Sequence, residues 1–376
     1  MTKKILLLNL LLAGIPFGAF AQDLQFQTSG LVGSYYGFAE TKKENNTDNL
    51  PNRLVTRTDA NANFIWQISP DYKLGLYNRF TFVLKQHDNS YKDGDWRYYP
   101  HIAGETPLGT FAAGYMYNAA HQLHKGVSEL TIFGIEDSNI TYFLSNPNWK
   151  NGKSSVAFAT PKSTSIINDG RAMKFNYFTP QIGNTKFGFS YTPDNANRRG
   201  MVSRYADYEK KEDGFGAAMQ NKWELNFADL YTSAGYGIFN RTDKEASLGL
   251  SLEKNGWSIG TGYKKAYIDG NKNPINTTSA PKQNPGLFDN YRESEAWNVS
   301  LQYKGEKYKT NLSWLQTRTE NARNQDSLLV WANIYSPVPH WELYLIGAYL
   351  NAKGAQKDSD DNNKGFAVIT GSGFRF

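Results

Sequence analysis

The sequence predicts an all-β protein, a transmembrane antiparallel barrel of sixteen strands. Three observations carry that prediction. The chain begins with an export signal, its apolar residues alternate with period two over strands long enough to cross a bilayer, and its connections alternate between long and short. At the start, Lys3 and Lys4 precede an apolar run over residues 5–20, and Ala19-Phe20-Ala21 supplies a small-residue cleavage pattern. Residues 1–21 therefore read as a signal peptide and residues 22–376 as the barrel. No later apolar run reaches the ~18 residues a membrane helix needs.

Composition narrows the class further. The 376 residues include no cysteine, so an exported chain must hold together without disulfides. Aromatics reach 15%, with 24 tyrosines, enough to furnish belts at both membrane interfaces. Loss of Lys3 and Lys4 with the leader takes the net charge from +6 to +4. The charge is spread, with no basic stripe set among base-stacking aromatics, so no nucleic-acid partner is expected.

The strands follow in order. Over residues 53–68, Leu54, Thr56, Thr58, Ala60, Ala62, Phe64, Trp66 and Ile68 share one face, and Arg53, Arg57, Asp59, Asn61, Asn63 and Gln67 share the other. One face suits lipid and the other water. About 9 to 11 residues are needed per crossing, against about 5 to 6 in an ordinary globular strand, and most strands here reach the longer figure. The first four are expected over 24–38, 53–68, 72–85 and 96–104, joined by a long polar loop, a tight turn at Ser69-Pro70-Asp71, a long loop over 86–95 and a short turn. A fifth strand over 109–117 and a sixth over 171–180 bracket a polar connection of residues 118–170.

The seventh carries Phe187, Phe189 and Tyr191 on one face, and a long loop over 192–213 follows it. Strands over 214–225 and 230–240 come next, then one with Leu248, Leu250 and Leu252 in alternation that turns at Asn255-Gly256, a strong hairpin dipeptide. The rest are expected over 257–268, around Trp297 to Tyr303, and over 307–318, 327–335, 341–351 and 365–376. Sixteen is even, as a closed antiparallel bacterial barrel requires.

The last strand puts Phe366, Val368, Phe374 and Phe376 on one face and ends on an aromatic residue. The ending Gly373-Phe374-Arg375-Phe376 resembles the terminal strand of Gram-negative porins. The run Gly109-Thr110-Phe111-Ala112-Ala113-Gly114 is similar to that family's fifth strand. Residues 174–180 and 187–194 resemble the sixth and seventh strands of alphaproteobacterial porins. The sequence departs from the family at Tyr115, where a basic residue often stands, and it lacks the Pro-Glu-Phe-Gly-Gly run of enterobacterial porins. The resemblance implies an outer-membrane homotrimer of sixteen-stranded barrels in lipid and lipopolysaccharide. It also implies a third outer loop folded inward, and a terminal strand read by the outer-membrane assembly machinery through Phe374 and Phe376.

A barrel of this size leaves a lumen that side chains alone cannot fill, so a loop must narrow it if solutes are to be sieved. The 118–170 loop offers Glu129, Glu136, Asp137 and Asp169 as acidic groups. The lumenal phase of the strands offers Arg53, Arg57, Arg79 and Arg97, with Arg171 and Lys174 where the loop returns. Opposed basic and acidic walls would set a transverse field that favours small polar solutes. The expected function is passive diffusion of small hydrophilic solutes and ions. A substrate-selective channel of the same fold is the nearest alternative, and a barrel enzyme or adhesin a more distant one.

No catalytic, metal or cofactor site is expected. Gly152-Lys153-Ser154 resembles the end of a phosphate-binding loop, but Pro147 stands where its first glycine belongs. His121 and His124 lack a third ligand nearby in sequence. Gly371-Ser372-Gly373 lies on a terminal strand rather than at a strand-to-helix elbow. Asp358, Asp360 and Asp361 read as a solvated loop.

Overall fold

A computed structural model describes residues 24–43, 53–87, 90–136, 140, 143, 163–194, 201–203, 213–239, 243–267, 293–319, 325–353 and 363–376. The strands are β1 (Leu24–Lys43), β2 (Arg53–Ser69), β3 (Tyr72–His87), β4 (Ser90–Thr106), β5 (Gly109–Tyr115), β6 (Met173–Phe178), β7 (Thr185–Thr192) and β8 (Val202–Ser203). They continue with β9 (Gly214–Glu224), β10 (Asp229–Phe239), β11 (Asp243–Lys254), β12 (Trp257–Tyr267), β13 (Glu293–Lys304), β14 (Tyr308–Thr319), β15 (Gln325–Tyr335), β16 (Trp341–Lys353) and β17 (Asn363–Arg375). One short helix, α1 (Ala119–Leu123), lies between β5 and β6.

Sixteen strands make the wall, each antiparallel to its neighbours, and β17 pairs with β1 from Leu31↔Arg375 to Lys43↔Asn363. The ring is closed, every strand of the wall being hydrogen-bonded to a neighbour on each side. The last residue completes the seam: Gly30 N donates to Phe376 O at 2.8 Å, and Phe376 N donates to Gly30 O at 3.1 Å.

Alternation decides which side chains meet lipid. On β2, Leu54, Phe64 and Ile68 are exposed on the outer face while Val55 and Ile65 are buried on the inner one. Outer aromatics collect near both strand ends. Near the short turns, Phe26 packs on Phe64 at 4.9 Å, Trp257 on Tyr303 at 4.9 Å and Tyr308 on Tyr335 at 5.2 Å. Towards the other end, Phe38 meets Phe366 at 6.2 Å and Tyr191 meets Phe215 at 4.9 Å. On β1 the two belts are separated by the stretch from Phe26 to Phe38, about 40 Å of strand or about 28 Å at a 45° tilt, close to the apolar band of outer-membrane barrels. The Asn255-Gly256 hairpin is formed, with φ of 49° and 82° at the two residues.

Two features differ from the sequence expectation. Most of the 86–95 connection is strand, because β3 and β4 stay paired out to His87↔Ser90. The residues there are mostly polar, and apolar alternation stops marking strands where lipid ends. The wall is also low at β5, β6 and β7, which have 7, 6 and 8 residues. There β4 pairs with β5 only from His101 to Thr106, and β8 pairs with the adjoining stretch of β4 through Arg97↔Ser203 and Tyr98↔Val202.

The inside of the barrel is not uniformly wet. Tyr35 of β1, Val55 of β2, Val83 of β3 and the inward residues Leu328, Val330, Ala332, Ile334, Ile346, Ala348, Leu350, Ala367 and Ile369 form one buried cluster with Phe133, Ile135, Ile140 and Phe143 of the long loop. Residues from so wide an arc of strands converge only on the concave face of a closed sheet. The described parts of the 118–170 loop therefore lie inside the barrel, held on one side by an apolar core.

Candidate functional site in the lumen

The loop is tied at its root. Asn118 caps α1, its Oδ1 accepting from His121 N at 2.8 Å, while its Nδ2 donates to Ile166 O at 3.2 Å and Asp169 Oδ1 at 2.7 Å. Asp169 also accepts from Thr192 Oγ1 at 2.7 Å and lies 3.3 Å from Lys174 Nζ, with both side chains fully buried. Lys174 Nζ donates further to Met116 O at 2.8 Å and to Gly170 O and Ala172 O, each at 3.1 Å. Two residues expected on opposite pore surfaces are thus partners in one buried lock. The returning loop covers Lys174, although its strand phase points it inward.

From α1 the outbound leg runs along the inner wall. Lys125 N donates to Ser233 Oγ at 2.8 Å, and Asn311 Nδ2 donates to Ser128 O at 2.9 Å. Glycines make room for it: a Cβ on Gly249 would overlap the Lys125 carbonyl, and one on Gly260 the Gly126 carbonyl. Glu129 turns back within its own segment, Oε1 accepting from Glu136 N at 2.6 Å. The Glu136 carboxylate accepts from Thr164 N at 2.9 and 3.0 Å, from Thr164 Oγ1 at 2.7 Å, and from Ser163 Oγ and Asn298 Nδ2. It joins the loop's two legs to β13. Asp137 lies outside the described residues.

The return leg is fixed by a second buried pair. Lys264 Nζ donates to Ser165 O at 3.0 Å and to Glu245 Oε1 at 3.3 Å, and Glu245 Oε2 accepts from Asn168 N at 3.2 Å. His121 sits beneath this leg, its Nδ1 2.8 Å from Ser165 Oγ. Burial, followed by the nearby Arg171 guanidinium, pulls the His121 pKa down to about 3. Burial lowers His124 as well, against the opposing pull of Glu136. Both imidazoles are therefore neutral near pH 7.

The opposite side of the lumen carries the arginines. Arg57 Nε donates to Asp59 Oδ2 at 2.6 Å, Thr81 Oγ1 donates to Asp59 Oδ1 at 2.7 Å, and Arg79 Nη2 reaches Asp59 Oδ1 at 3.4 Å. Arg97 forks onto Asp95 Oδ2 at 2.5 and 2.9 Å. The Arg171 guanidinium lies 4.5 Å from the Tyr99 ring and 4.4 Å from the Tyr117 ring. Four guanidiniums thus face two carboxylates, a local net charge of +2. The backbone of Arg53 lies on β2 opposite Gly37 and His87, and its side chain is outside the described residues. Phe374 and Phe376 are exposed at the chain end, Phe374 opposite Val32 and Trp341.

A sequence model described as Gram-negative porin matches residues 10–368. The chain belongs to the Gram-negative porin family. It is an outer-membrane channel for passive diffusion of small hydrophilic solutes and ions, and not an enzyme. The porin's fold is shared with solved structures at low identity. The anion-selective porin from Comamonas acidovorans matches at 11% identity and a TM-score of 0.54, covering 94% of this chain and 100% of that one. OmpF of Salmonella typhi, in complex with daunomycin, matches at 11% and 0.56, covering 93% and 97%. The trimer form of OmpT, an outer-membrane protein of Vibrio cholerae, matches at 11% and 0.54, covering 94% and 100%. No curated protein matches the sequence.

Several residues that build this porin's lumen escape a reading by strand phase and charge: Asn118, Glu245, Lys264, Asn298 and the glycines under the loop. The glycines do carry a signal. Gly249, Gly260 and Gly262 interrupt strands otherwise rich in side chains, which marks a close backbone approach.

Proposed function

We propose that this porin passes solutes through the side of the lumen lined by β2, β3, β4 and the end of the loop, and that it prefers anions. The observation carrying the reading is the imbalance of charge: Arg57, Arg79, Arg97 and Arg171 outnumber Asp59 and Asp95, while the described loop acids Glu129, Glu136 and Asp169 are engaged within the loop or against the wall. A few charges at the narrowest point outweigh the net charge of the whole chain. Lys174 takes no part, being buried.

On this reading the protein is made with a signal peptide over residues 1–21, assembles as a homotrimer in lipid and lipopolysaccharide, and is recognised during assembly through Phe374 and Phe376. The likeness of residues 174–180 and 187–194 to alphaproteobacterial strands supports a channel of that type. Purified protein in planar bilayers under a potassium chloride gradient gives the test. A reversal potential of chloride sign, moving toward zero when Arg57 and Arg79 are both changed to Gln, is expected. A potassium-signed potential in the unaltered protein would overturn the preference.

A further inference from the structure

The lumenal arginines are not equivalent. Arg57 and Arg97 are each forked onto a carboxylate, whereas among the described residues the Arg171 guanidinium makes no hydrogen bond or ion pair. It lies instead against the rings of Tyr99 and Tyr117, a contact that uses none of its N–H groups. Arg79 is held by one long bond from Nη2 to Asp59, and its buried Nε has no acceptor.

Register brings these two cations beside a pair of stacked aromatic rings. Arg79 is the cross-strand partner of Tyr99, and Tyr77 is the partner of His101. The Tyr77 and His101 rings stack at 5.0 Å with an interplanar angle of 11°. That pair lies two residues along the strands from the arginines on the same face, about 7 Å away. On the far side of His101 the partner on β5 is Gly114, which adds no side chain.

Resting on the reading of this strip as the solute path, we propose that it forms a binding subsite for aromatic carboxylates. The carboxylate is taken by the unpaired N–H edge of Arg171 with the Arg79 cation beside it, and the ring packs against the Tyr77–His101 stack. A guanidinium edge matches a carboxylate in two parallel hydrogen bonds, and a stacked ring pair favours a flat aromatic face over a puckered aliphatic one. Neither preference follows from a diffuse positive field, which would treat acetate and benzoate alike.

Chloride current through the purified porin in a planar bilayer, titrated with sodium benzoate, cyclohexanecarboxylate and acetate, tests the assignment. Benzoate is expected to reduce the current saturably, half-blocking at a concentration about tenfold below that of either other anion. Arg171→Lys should raise the benzoate value severalfold, because an ammonium cannot fork onto the carboxylate. Tyr77→Leu should bring benzoate to the cyclohexanecarboxylate value. Equal block by all three anions, or a benzoate block untouched by both substitutions, would overturn the subsite. The reversal potential is read in the same recordings, so a chloride-selective channel without benzoate preference fails this inference alone, whereas a potassium-selective one fails the reading beneath it.

Discussion

At the scale of single residues, the lumen separates charges that conduct from charges that hold. Lys174 and Asp169 are fully buried against each other, so removing one partner strands the other in a dry site. Lys174→Met is expected to destabilise the loop root by ~3–5 kcal/mol, with much of the loss recovered when Asp169→Asn is added. Tryptic cleavage after Lys125, whose ammonium lies 4.6 Å from the Tyr231 ring, reports loop release. Gly260 makes a different point. Its missing Cβ admits the Gly126 carbonyl, and Gly260→Val should lift the outbound leg off β12. A larger single-channel conductance in an assembled barrel is the expected result. Strand phase alone predicts which residues face inward, as it does for Arg57 and Arg79. It cannot say which inward residues the loop then covers, and that is why Lys174 reads from sequence as a pore charge.

At the scale of elements, the loop behaves as part of the wall. Phe133, Ile135, Ile140 and Phe143 fill the concavity of β13 to β17 and β1, and Phe133 meets Tyr35 edge-on at 4.9 Å. Phe133→Ala removes a fully buried ring and should cost ~3–5 kcal/mol, lowering the temperature at which the folded barrel unfolds in gel-shift assays. Acid acts on the same docking. His121 has its folded pKa depressed to about 3 from an unfolded value of about 6.5. Its contribution is therefore intact above about pH 6.5 and is lost progressively as the pH falls toward 3. Hydrogen exchange of residues 118–136, corrected for intrinsic rate, should show protection falling between pH 7 and pH 4.5, and His121→Gln should flatten that fall. The wall was legible in the sequence because lipid imposes its period on every crossing. The loop's docking was legible only in part. On β15, Leu328, Val330 and Ala332 face inward while Leu329 and Trp331 face outward, an apolar run over 328–332 that signals cover on both sides.

At the scale of the whole molecule, closure and loop docking are one event. Tyr35 of β1 and Ile369 of β17 border the seam and share a cluster with the loop, and Phe376 pins the last turn to Gly30 through two backbone hydrogen bonds. Deleting Phe376 removes both bonds and the ring that occupies the space beside Gly30. The fraction of folded protein in outer-membrane extracts should fall, with the deficit seen in seam closure rather than in strand content by circular dichroism. Sequence alternation supplied the strand number and the barrel class, since both follow from crossing a bilayer. The side of the lumen left open depends on contacts between residues more than a hundred positions apart, such as Asn311 with Ser128. The apolar lining of β15 to β17 has a cost before any of this is built. Strands greasy on both faces are the ones least able to wait in water, so this C-terminal stretch would depend most on periplasmic holding factors and would be the first part to aggregate when they are scarce.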